Sequence, residues 1–186
     1  RRSICDQDFV ATLLLVEVGN TKQIVIDLFR IAEGKIQEHW DAIETYPAET
    51  EEVDSLVEGP GEVADHYLTQ ENKRVVLDFI QKGLIENTPE KVDELAHKKF
   101  NSHLLDTNKG LTQLENFLSK PGGLRIHKIH RIIGEGNFVL AQLEGVNGEK
   151  GMVSYQLYHL AERKVTDCWM VSQEVPSQMA HDNGMI

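Results

Sequence analysis

The alternation of apolar and polar residues predicts two groups of β-strands in this chain. In the first group, segments rich in branched and aromatic residues predict strands over 8–18, 23–31 and 35–45. Gly19-Asn20 and Glu33-Gly34 separate these strands, and both pairs are typical of tight turns between antiparallel strands. The second group of strands is predicted over 124–133, 137–146, 151–160 and 164–174.

Between the two groups, the apolar residues follow a helical period. The segment 72–85 places its apolar residues on one face of a helix. Thr88 followed by Pro89 is typical of a helix N-cap with a first-turn proline, and it predicts a second helix with its inner face over 92–96. A third helix is predicted over 110–118. The order of elements therefore predicts an α+β unit of three helices followed by four antiparallel strands.

The two groups of strands are also related in sequence. Residues 1–47 align without a gap on residues 130–176, at a constant offset of 129 and with twelve identical pairs. The identical pairs include Arg2 with Arg131, Leu28 with Leu157, and Trp40 with Trp169. Identities alone are compatible with coincidence, but the turns also fall at the same places, so we interpret the repeat as a duplication.

This repeat predicts three parts of the chain. Residues 1–47 are the strand half of a first domain, 48–68 are a linker, and 69–186 are a complete second domain. The linker prediction rests on many acidic residues without Lys or Arg, and on the breaker Gly59-Pro60-Gly61. Because three strands without helices cannot bury their inner face, we expect residues to be missing ahead of the first strands. The alternative is a genuine half-domain that is covered by the second domain or by another chain.

Charge and cysteine content exclude several classes of partner. The chain has 19 basic and 30 acidic residues, a formal charge of −11, which disfavours nucleic acid and anionic membrane surfaces. Its longest apolar stretches are far shorter than the ~20 residues that span a bilayer. Cys5 and Cys168 give no disulfide framework, so a cytoplasmic location is expected.

Several segments resemble one known family. The segment 27–41 resembles the strand-turn-strand signature of SnoaL-like proteins, in the nuclear transport factor 2 superfamily. Segments 58–65, 130–139 and 181–186 resemble a branch often described as predicted aldol-condensation enzymes. The resemblance implies a cone-shaped, strongly bent antiparallel sheet with covering helices, here duplicated. It also implies polyketide-cyclase chemistry without metal or cofactor, on a small apolar or polyketide-like molecule.

The same resemblance directs attention to two acidic residues in the first copy. The aspartate that matches the family's acid/base is Asp41, and the turn at 33–34 places Asp27 opposite it on the neighbouring strand. Neighbouring carboxylates in an apolar site favour one shared proton, which suits proton transfer near neutral pH. His39 lies two residues from Asp41 on the same face and is a candidate proton carrier. In the alternative, these residues only form local hydrogen bonds.

The second copy lacks this acidic pair. Gln156, Cys168 and Met170 stand where the first copy has Asp27, His39 and Asp41. A pocket in the second domain is therefore predicted to bind a ligand without acid/base chemistry. Its candidate ligand-binding residues are His103, Tyr155, Gln156, Tyr158, Trp169 and Met170. His103 resembles a pocket histidine of the family, although a histidine held only by packing fits the sequence equally well.

Metal and nucleotide sites are not predicted. His127 and His130 are three residues apart on a predicted strand, so they are expected on opposite faces and unable to share an ion. Gly134-Glu-Gly136 lacks the third glycine of a dinucleotide site and precedes a strand. Two functions remain: cofactor-free catalysis on a small molecule, or a non-catalytic binding or interaction module. In either case the two sheets are expected to pack together, as a pseudo-dimer within the chain or in a homodimer.

Overall fold

The computed structural model describes residues 2–104, 110, 123–178 and 185–186, and within these ranges the strands form two sheets. The first sheet consists of β1 (Arg2–Asp6), β2 (Phe9–Val18), β3 (Thr21–Ala32) and β4 (Lys35–Pro47), in that order. The second consists of β5 (Ala96–His103), β6 (Leu124–Glu135), β7 (Phe138–Asn147), β8 (Lys150–Ala161) and β9 (Lys164–Glu174). Its strand order is β5-β9-β8-β7-β6.

Both sheets are built on the predicted antiparallel hairpins. The strands β6 to β9 repeat the order of β1 to β4, and the pairing is equivalent at the offset of 129: Ala11 pairs with Leu28, and Leu140 pairs with Leu157. Register shifts in β6 and between His159 and Leu160 interrupt the ladders of the second sheet, and such bulges bend a sheet. The α+β class with a bent sheet is therefore confirmed.

The second sheet differs from the prediction at its edge. The strand β5 was not predicted, and it pairs parallel to β9, so the sheet is mixed. Ala96 begins this strand, whereas the sequence placed it on the inner face of a helix. The preceding helix ends at Leu95. Lys98 and Lys99 are exposed, and Phe100 and Ser102 are buried, a pattern that a helical period does not explain.

Two helical segments cover one face of the second sheet. The helix α1 (Thr69–Asp78) continues as a π-helical segment, Phe79–Ile85, and α2 (Pro89–Leu95) follows. Val76, Phe79 and Ile80 are fully buried against the sheet. Residues 111–118 of the third predicted helix lie outside the described residues. No helix in the described ranges is long and apolar enough to cross a membrane.

The other face of the second sheet packs against the first sheet. Apolar side chains of both sheets form one continuous core between them. Its buried members include Ile4, Leu13, Ile26, Leu28, Phe138, Leu140, Tyr155, Leu157, Trp169 and Val171. The alternation of side chains along each strand places these residues on the inner faces, so each sheet has its second face on the outside of this core.

The contacts across this core are reciprocal. The guanidinium of Arg2 lies 4.0 Å from the ring centroid of Trp169, and that of Arg131 lies 4.2 Å from the ring of Trp40. Each residue of the first contact corresponds to its counterpart in the second at the offset of 129. In a two-fold symmetric interface, each contact occurs twice with the partners exchanged between the two halves. Here the first sheet supplies the arginine in one contact and the tryptophan in the other.

Hydrogen bonds between the sheets show the same relation. The backbone amides of Cys5, Gly134 and Ser172 each donate to a carboxylate of the opposite sheet. The backbone amide of Ile43 donates to the side-chain amide oxygen of a glutamine on the opposite sheet. The pairs are Cys5 N to Glu135 Oε2 (2.7 Å), Gly134 N to Asp6 Oδ2 (3.0 Å), Ile43 N to Gln173 Oε1 (3.1 Å) and Ser172 N to Glu44 Oε1 (2.9 Å). The packing of the two sheets is therefore close to two-fold symmetric.

The segment predicted as a linker, 48–68, is packed against the sheets. It contains a 3₁₀ helix, Glu51–Val57, in which Val53 is fully buried and Leu56 nearly so. The Trp169 indole donates to the Glu58 carbonyl at 2.9 Å. Its acidic side chains face solvent while its few apolar residues enter the core between the sheets. The acidic composition of 48–68 therefore reflects the exposed face of a packed segment.

The end of this segment also fixes the turn between β6 and β7. Gly136 has a φ of 58°, and a Cβ at this position would lie 1.9 Å from the Ala64 oxygen. The Asn137 amide donates to that oxygen at 2.9 Å, and the Asn137 side chain accepts from the Ala64 amide at 2.9 Å. Asn72 on α1 donates to the Gly136 carbonyl at 2.8 Å. Gly136 is thus required by a close backbone approach.

Candidate functional site

Asp27 and Asp41 are directly paired in the register of β3 and β4. The hairpin turn after Ala32 places them opposite each other, as the sequence predicted. Both side chains lie on the face of the first sheet that is turned away from the second sheet, because the alternating neighbours Ile26, Leu28 and Ala42 belong to the core between the sheets. We call this side of the first sheet the outer face.

His39 lies beside this pair and is held by two contacts. Its Nε2 is 2.8 Å from Asp27 Oδ1, and its ring stacks on Phe29 with centroids 4.5 Å apart. The second oxygen of Asp27 accepts a hydrogen bond from the Thr12 hydroxyl at 3.2 Å. The side chain of His39 is 42% exposed and that of Asp27 is 15% exposed, so the group is accessible to a small molecule.

Apolar side chains surround these polar groups on the outer face. Val25 pairs with Ile43 on one side of the carboxylates, and Phe29 pairs with His39 on the other. Leu14 lies beside Val25 on β2. The result is a small set of polar groups within an apolar strip, which is the usual composition of a site for a small organic molecule.

The same three residues are the ones that could hold a metal ion. Among the described residues, Asp27, His39 and Asp41 form the group whose donor atoms converge, all within 4.8 Å of one another. Two carboxylates and one imidazole suit a divalent transition metal. This set was not predicted as a metal site, since His127 and His130 were the candidate metal ligands in the sequence.

The equivalent positions of the second sheet are buried and chemically different. Gln156 pairs with Met170 as Asp27 pairs with Asp41, and both side chains lie beneath the helices. The Gln156 amide lies 3.3 Å from the Met170 sulfur, and the Tyr158 hydroxyl donates to Gln156 Oε1. Tyr158 in turn contacts Phe79 edge to face at 5.7 Å. These polar atoms are therefore already partnered within the core.

The ligand-binding residues predicted for the second sheet do not all meet. Gln156, Tyr158 and Met170 face the helices, whereas Tyr155 and Trp169 face the first sheet. The period of two along β8 and β9 separates most members of the two groups. Of the predicted residues, His103, Trp169 and Met170 line one cavity, which lies between the sheets. Burial raises the pKa of the Tyr155 hydroxyl well above its usual range, and Gln142 donates to that hydroxyl at 2.8 Å.

His103 lies at the end of β5 and joins a buried polar cluster. Its ring stacks on Trp169 at 4.5 Å, and its Nε2 is 3.1 Å from Asp167 Oδ1. His159 approaches the other oxygen of Asp167 at 3.4 Å. Although burial acts to raise the pKa of Asp167, hydrogen bonds from His103, His159 and Thr166 hold it well below its usual range. Asp167 was not singled out by the sequence analysis, because its partners are distant in sequence.

The prediction that His127 and His130 lie on opposite faces was wrong. His130 Nε2 lies 2.8 Å from Glu144 Oε2, and His127 Nε2 lies 3.6 Å from Glu144 Oε1, so both reach one carboxylate. Register shifts on either side of Lys128 break the period of two and bring both histidines to one side. The hydrogen bond from His130 lowers the pKa of Glu144.

Cys168 is almost fully buried, and burial raises the pKa of its thiol well above its usual range. A thiol with a raised pKa is a poor nucleophile. The interpretation of Cys168 as a small core residue therefore agrees with its position. Cys5 is exposed on β1.

Glu44 and Tyr46 form a further polar group that the sequence analysis missed. Burial raises the pKa of the Glu44 carboxyl, although hydrogen bonds from the Tyr46 hydroxyl and the Ser172 amide act to lower it. Both side chains line a cavity of about 140 Å³ together with His103 and Trp169. The signal in the sequence is that Glu44 aligns with Gln173, so this interface position is polar in both copies.

Comparison with known proteins bears on the fold. No protein-family model matches the chain, and no curated protein matches its sequence. A crystal structure of a candidate ketosteroid isomerase from Kribbella flavida DSM 17836 is similar over 62% of this chain and 87% of that chain, with a TM-score of 0.52 and 12% identity. At this identity, the likeness is one of fold.

Two other solved structures match with lower TM-scores. A candidate SnoaL-like polyketide cyclase from Jannaschia sp. CCS1 matches 62% of this chain and 92% of its own, with 18% identity and a TM-score of 0.47. An LEH-like epoxide hydrolase from M. tuberculosis matches 56% of this chain and 84% of its own, with 18% identity and a TM-score of 0.46. With its bent sheet and covering helices, the matched 62% of this chain shares the α+β fold of the Kribbella flavida structure, and this agrees with the cone-shaped α+β fold expected from the resemblance to SnoaL-like proteins.

Proposed function

We propose that the protein acts on a small apolar molecule by proton transfer without a cofactor, through Asp41, Asp27 and His39. The observation that carries this proposal is the convergence of the three side chains on the outer face of the first sheet. Asp27 orients His39 by accepting from it, while Asp41 lies opposite Asp27 with its carboxylate beside both. A base and an oriented imidazole at one place are the elements of general acid/base catalysis.

The proposed reaction is of the aldol type. Asp41 takes a proton from the carbon next to a carbonyl, and the electron pair of that C–H bond forms an enolate. The enolate carbon attacks a second carbonyl of the substrate, which forms the C–C bond and leaves an alkoxide. The imidazolium of His39, stabilised by Asp27, donates a proton to that alkoxide, and the proton on Asp41 then restores His39 through solvent.

The two sheets have different roles in this proposal. The first sheet carries the reactive groups, and the second sheet, with Gln156 and Met170 at the equivalent positions, is the scaffold on which the first is packed. We also infer that both sheets derive from one duplicated domain, with the first domain represented by 1–47 and the second by 69–186. The equivalent registers and the reciprocal contacts of Arg2 and Arg131 support this inference.

A second candidate function is a non-catalytic binding or interaction module. The observation in its favour is the second sheet, where Tyr158, Gln156 and Met170 fill the space beneath the helices with partnered side chains. In this alternative, Asp27, His39 and Thr12 only stabilise the first sheet. The two functions differ in one measurable property, the exchange of carbon-bound protons.

The test uses hydrogen–deuterium exchange, because it detects proton abstraction without a known substrate. Small ketones and β-keto esters are incubated with the protein in D₂O, and loss of the α-proton is followed by NMR. We expect Asp41→Asn to lower the exchange rate by about 10²-fold to 10⁴-fold while the protein stays folded. Asparagine keeps the size of aspartate but cannot accept a proton.

Glu38 provides the matched control. It lies on β4 near Asp41 but pairs with Arg30, and its alternation places it on the other face. Glu38→Gln removes one charge from the same strand. We expect this variant to catalyse the exchange of substrate α-protons at the wild-type rate. Equal rates in folded Asp41→Asn and wild type would leave the binding module as the better explanation. A loss of activity after treatment with a chelator would mean that Asp27, His39 and Asp41 act through a metal.

A further inference from the structure

A cavity lies between the two sheets where β5 ends. Its volume is about 140 Å³, and we call it the inter-sheet cavity. The last pair of β5 with β9 joins His103 to Trp169, whereas β9 continues to Glu174. Within the described ranges, the end of β5 therefore leaves one edge of β9 without a partner strand, and the cavity lies beside that edge.

Most of the wall of the inter-sheet cavity is apolar. Leu13 and Ile24 come from the first sheet, Leu56 from the 3₁₀ helix, and Met170 and Val171 from β9. A dry apolar cavity of about 150 Å³ is large enough to bind benzene. The inter-sheet cavity therefore fits a molecule that has the size of one aromatic ring.

Glu44, Tyr46 and His103 complete the wall, and Glu44 and His103 present acceptors to the cavity. The Glu44 carboxylate accepts from the Ser172 amide and the Tyr46 hydroxyl, and each of its oxygens has a second lone pair. His103 must carry its proton on Nε2, because that atom faces Asp167, a carboxylate whose pKa is held low. In the neutral ring, Nδ1 is then the acceptor.

The Nδ1 of His103 is buried and has no hydrogen-bond partner among the residues that the structure describes. The side chain of His103 is only 7% exposed, so water reaches this atom poorly. Buried polar atoms nearly always have a partner, so an unsatisfied one on a side chain that lines a cavity is a candidate contact for a bound molecule. A ligand that donates one hydrogen bond satisfies this atom.

We propose that the inter-sheet cavity binds an apolar molecule of about the size of one aromatic ring that donates a hydrogen bond, from a hydroxyl or an amine, to Nδ1 of His103. The Glu44 carboxylate, on the wall formed by the first sheet, is a second acceptor for a ligand that carries a further donor hydrogen, such as an amine. This site differs from the proton-transfer site, since Ile24 and Glu44 lie on the inner face and Asp27 on the outer face of the first sheet.

Phenol and toluene provide a matched pair of probes, because they have nearly the same shape and only phenol donates a hydrogen bond. The reporters are the indole N–H signals of the two tryptophans in an NMR titration of the 186-residue chain. Trp169 lines the cavity, whereas Trp40 does not and serves as the internal reference. We expect a saturable shift of the Trp169 signal, with phenol binding about fivefold more tightly than toluene.

Two variants complete the test. His103→Phe keeps a ring that stacks on Trp169 but has no acceptor, so phenol is expected to bind no more tightly than toluene. Leu104→Phe extends a cavity-lining side chain into the space, and both probes are expected to lose binding. If His103→Phe does not fold, the comparison of phenol with toluene in the wild type and in Leu104→Phe decides. Equal affinities in the wild type, equal shifts at Trp40, or unchanged binding in folded Leu104→Phe would overturn the proposal.

Discussion

The contacts of Arg2 with Trp169 and of Arg131 with Trp40 allow one strong test of how the sheets pack. The two pairs are identical in sequence and nearly equal in distance, at 4.0 and 4.2 Å. They differ in burial: Arg2 is 5% and Trp169 is 1% exposed, whereas Arg131 and Trp40 are half-buried. The difference arises because the segment around Glu58 covers only the first pair.

The expected coupling energies follow from this burial. A cation–π contact contributes about 0.5 to 1 kcal/mol at an exposed site and about 2 kcal/mol or more when both groups are desolvated. We therefore expect about 2 kcal/mol for the pair of Arg2 and Trp169, and about 0.5 to 1 kcal/mol for the pair of Arg131 and Trp40. If distance alone decided the strength, the two values would be equal.

Double-mutant cycles measure these couplings from the free energy of unfolding in urea. One cycle combines Arg2→Met with Trp169→Leu, and the other combines Arg131→Met with Trp40→Leu. Arg2 also donates to the Val57 and Pro60 carbonyls, and its loss leaves both without that donor. This cost occurs in the single and the double variant alike, so it cancels in the cycle.

A coupling of Arg131 with Trp40 that equals or exceeds that of Arg2 with Trp169 would mean that the segment 57–60 does not shield the first pair from solvent. Couplings near zero in both cycles would remove the reciprocal contacts as a stabilising feature of the sheet packing. The denaturant dependence of each variant must match the wild type for the comparison to hold.

The remaining predictions concern single side chains. Met170→Ala opens a void beneath the helices and is expected to lower the free energy of unfolding, measured in urea, by about 2 to 5 kcal/mol. No loss would mean that Met170 does not fill the space beneath the helices. Burial raises the pKa of Glu44, so this carboxyl reduces stability as pH rises through its unfolded and then its folded pKa. At pH values above the folded pKa of Glu44, the Glu44→Gln variant is therefore expected to be more stable than the wild type. The melting temperatures of both proteins at several pH values test this, and a lower melting temperature of the variant would contradict it. The pKa of Asp167 is lowered, so its contribution is present above the unfolded value of about 3.9 and is lost as pH falls towards the folded value. Asp167→Asn is expected to be less stable than the wild type at pH 7, with a difference that shrinks below about pH 4; a difference independent of pH would exclude the ionised carboxyl as the cause. Treatment with a chelator is expected to leave the melting temperature unchanged, and a large drop would point to a structural metal.

Local patterns in the sequence were sufficient for the hairpins and for the candidate proton-transfer site. The turn between β3 and β4 fixes the register, and a register fixes which side chains face each other. Asp27 and Asp41 therefore could be paired without coordinates, and His39 could be placed on their face. The equivalence of the two sheets was likewise accessible, because a constant offset needs only the order of residues.

Features that depend on distant contacts were not accessible in this way. The strand β5 forms because β9 offers an open edge, and its own sequence, with exposed Lys98 and Lys99, has weak strand character. The bulges around Lys128 moved His127 and His130 to one side, against the period of two. In both cases, the tertiary environment overrides the local preference.

The pairs of Arg2 with Trp169 and of Arg131 with Trp40 show most clearly what the sequence determines and what the tertiary structure determines. The sequence determined that the same residues recur at an offset of 129, and with it which side chains can meet. Only the tertiary structure decided that one pair is buried and the other half-exposed, since the covering segment passes over one side of the sheet packing. Composition identified that segment as acidic, but burial depends on which atoms approach from elsewhere in the chain, and a local pattern contains no record of them.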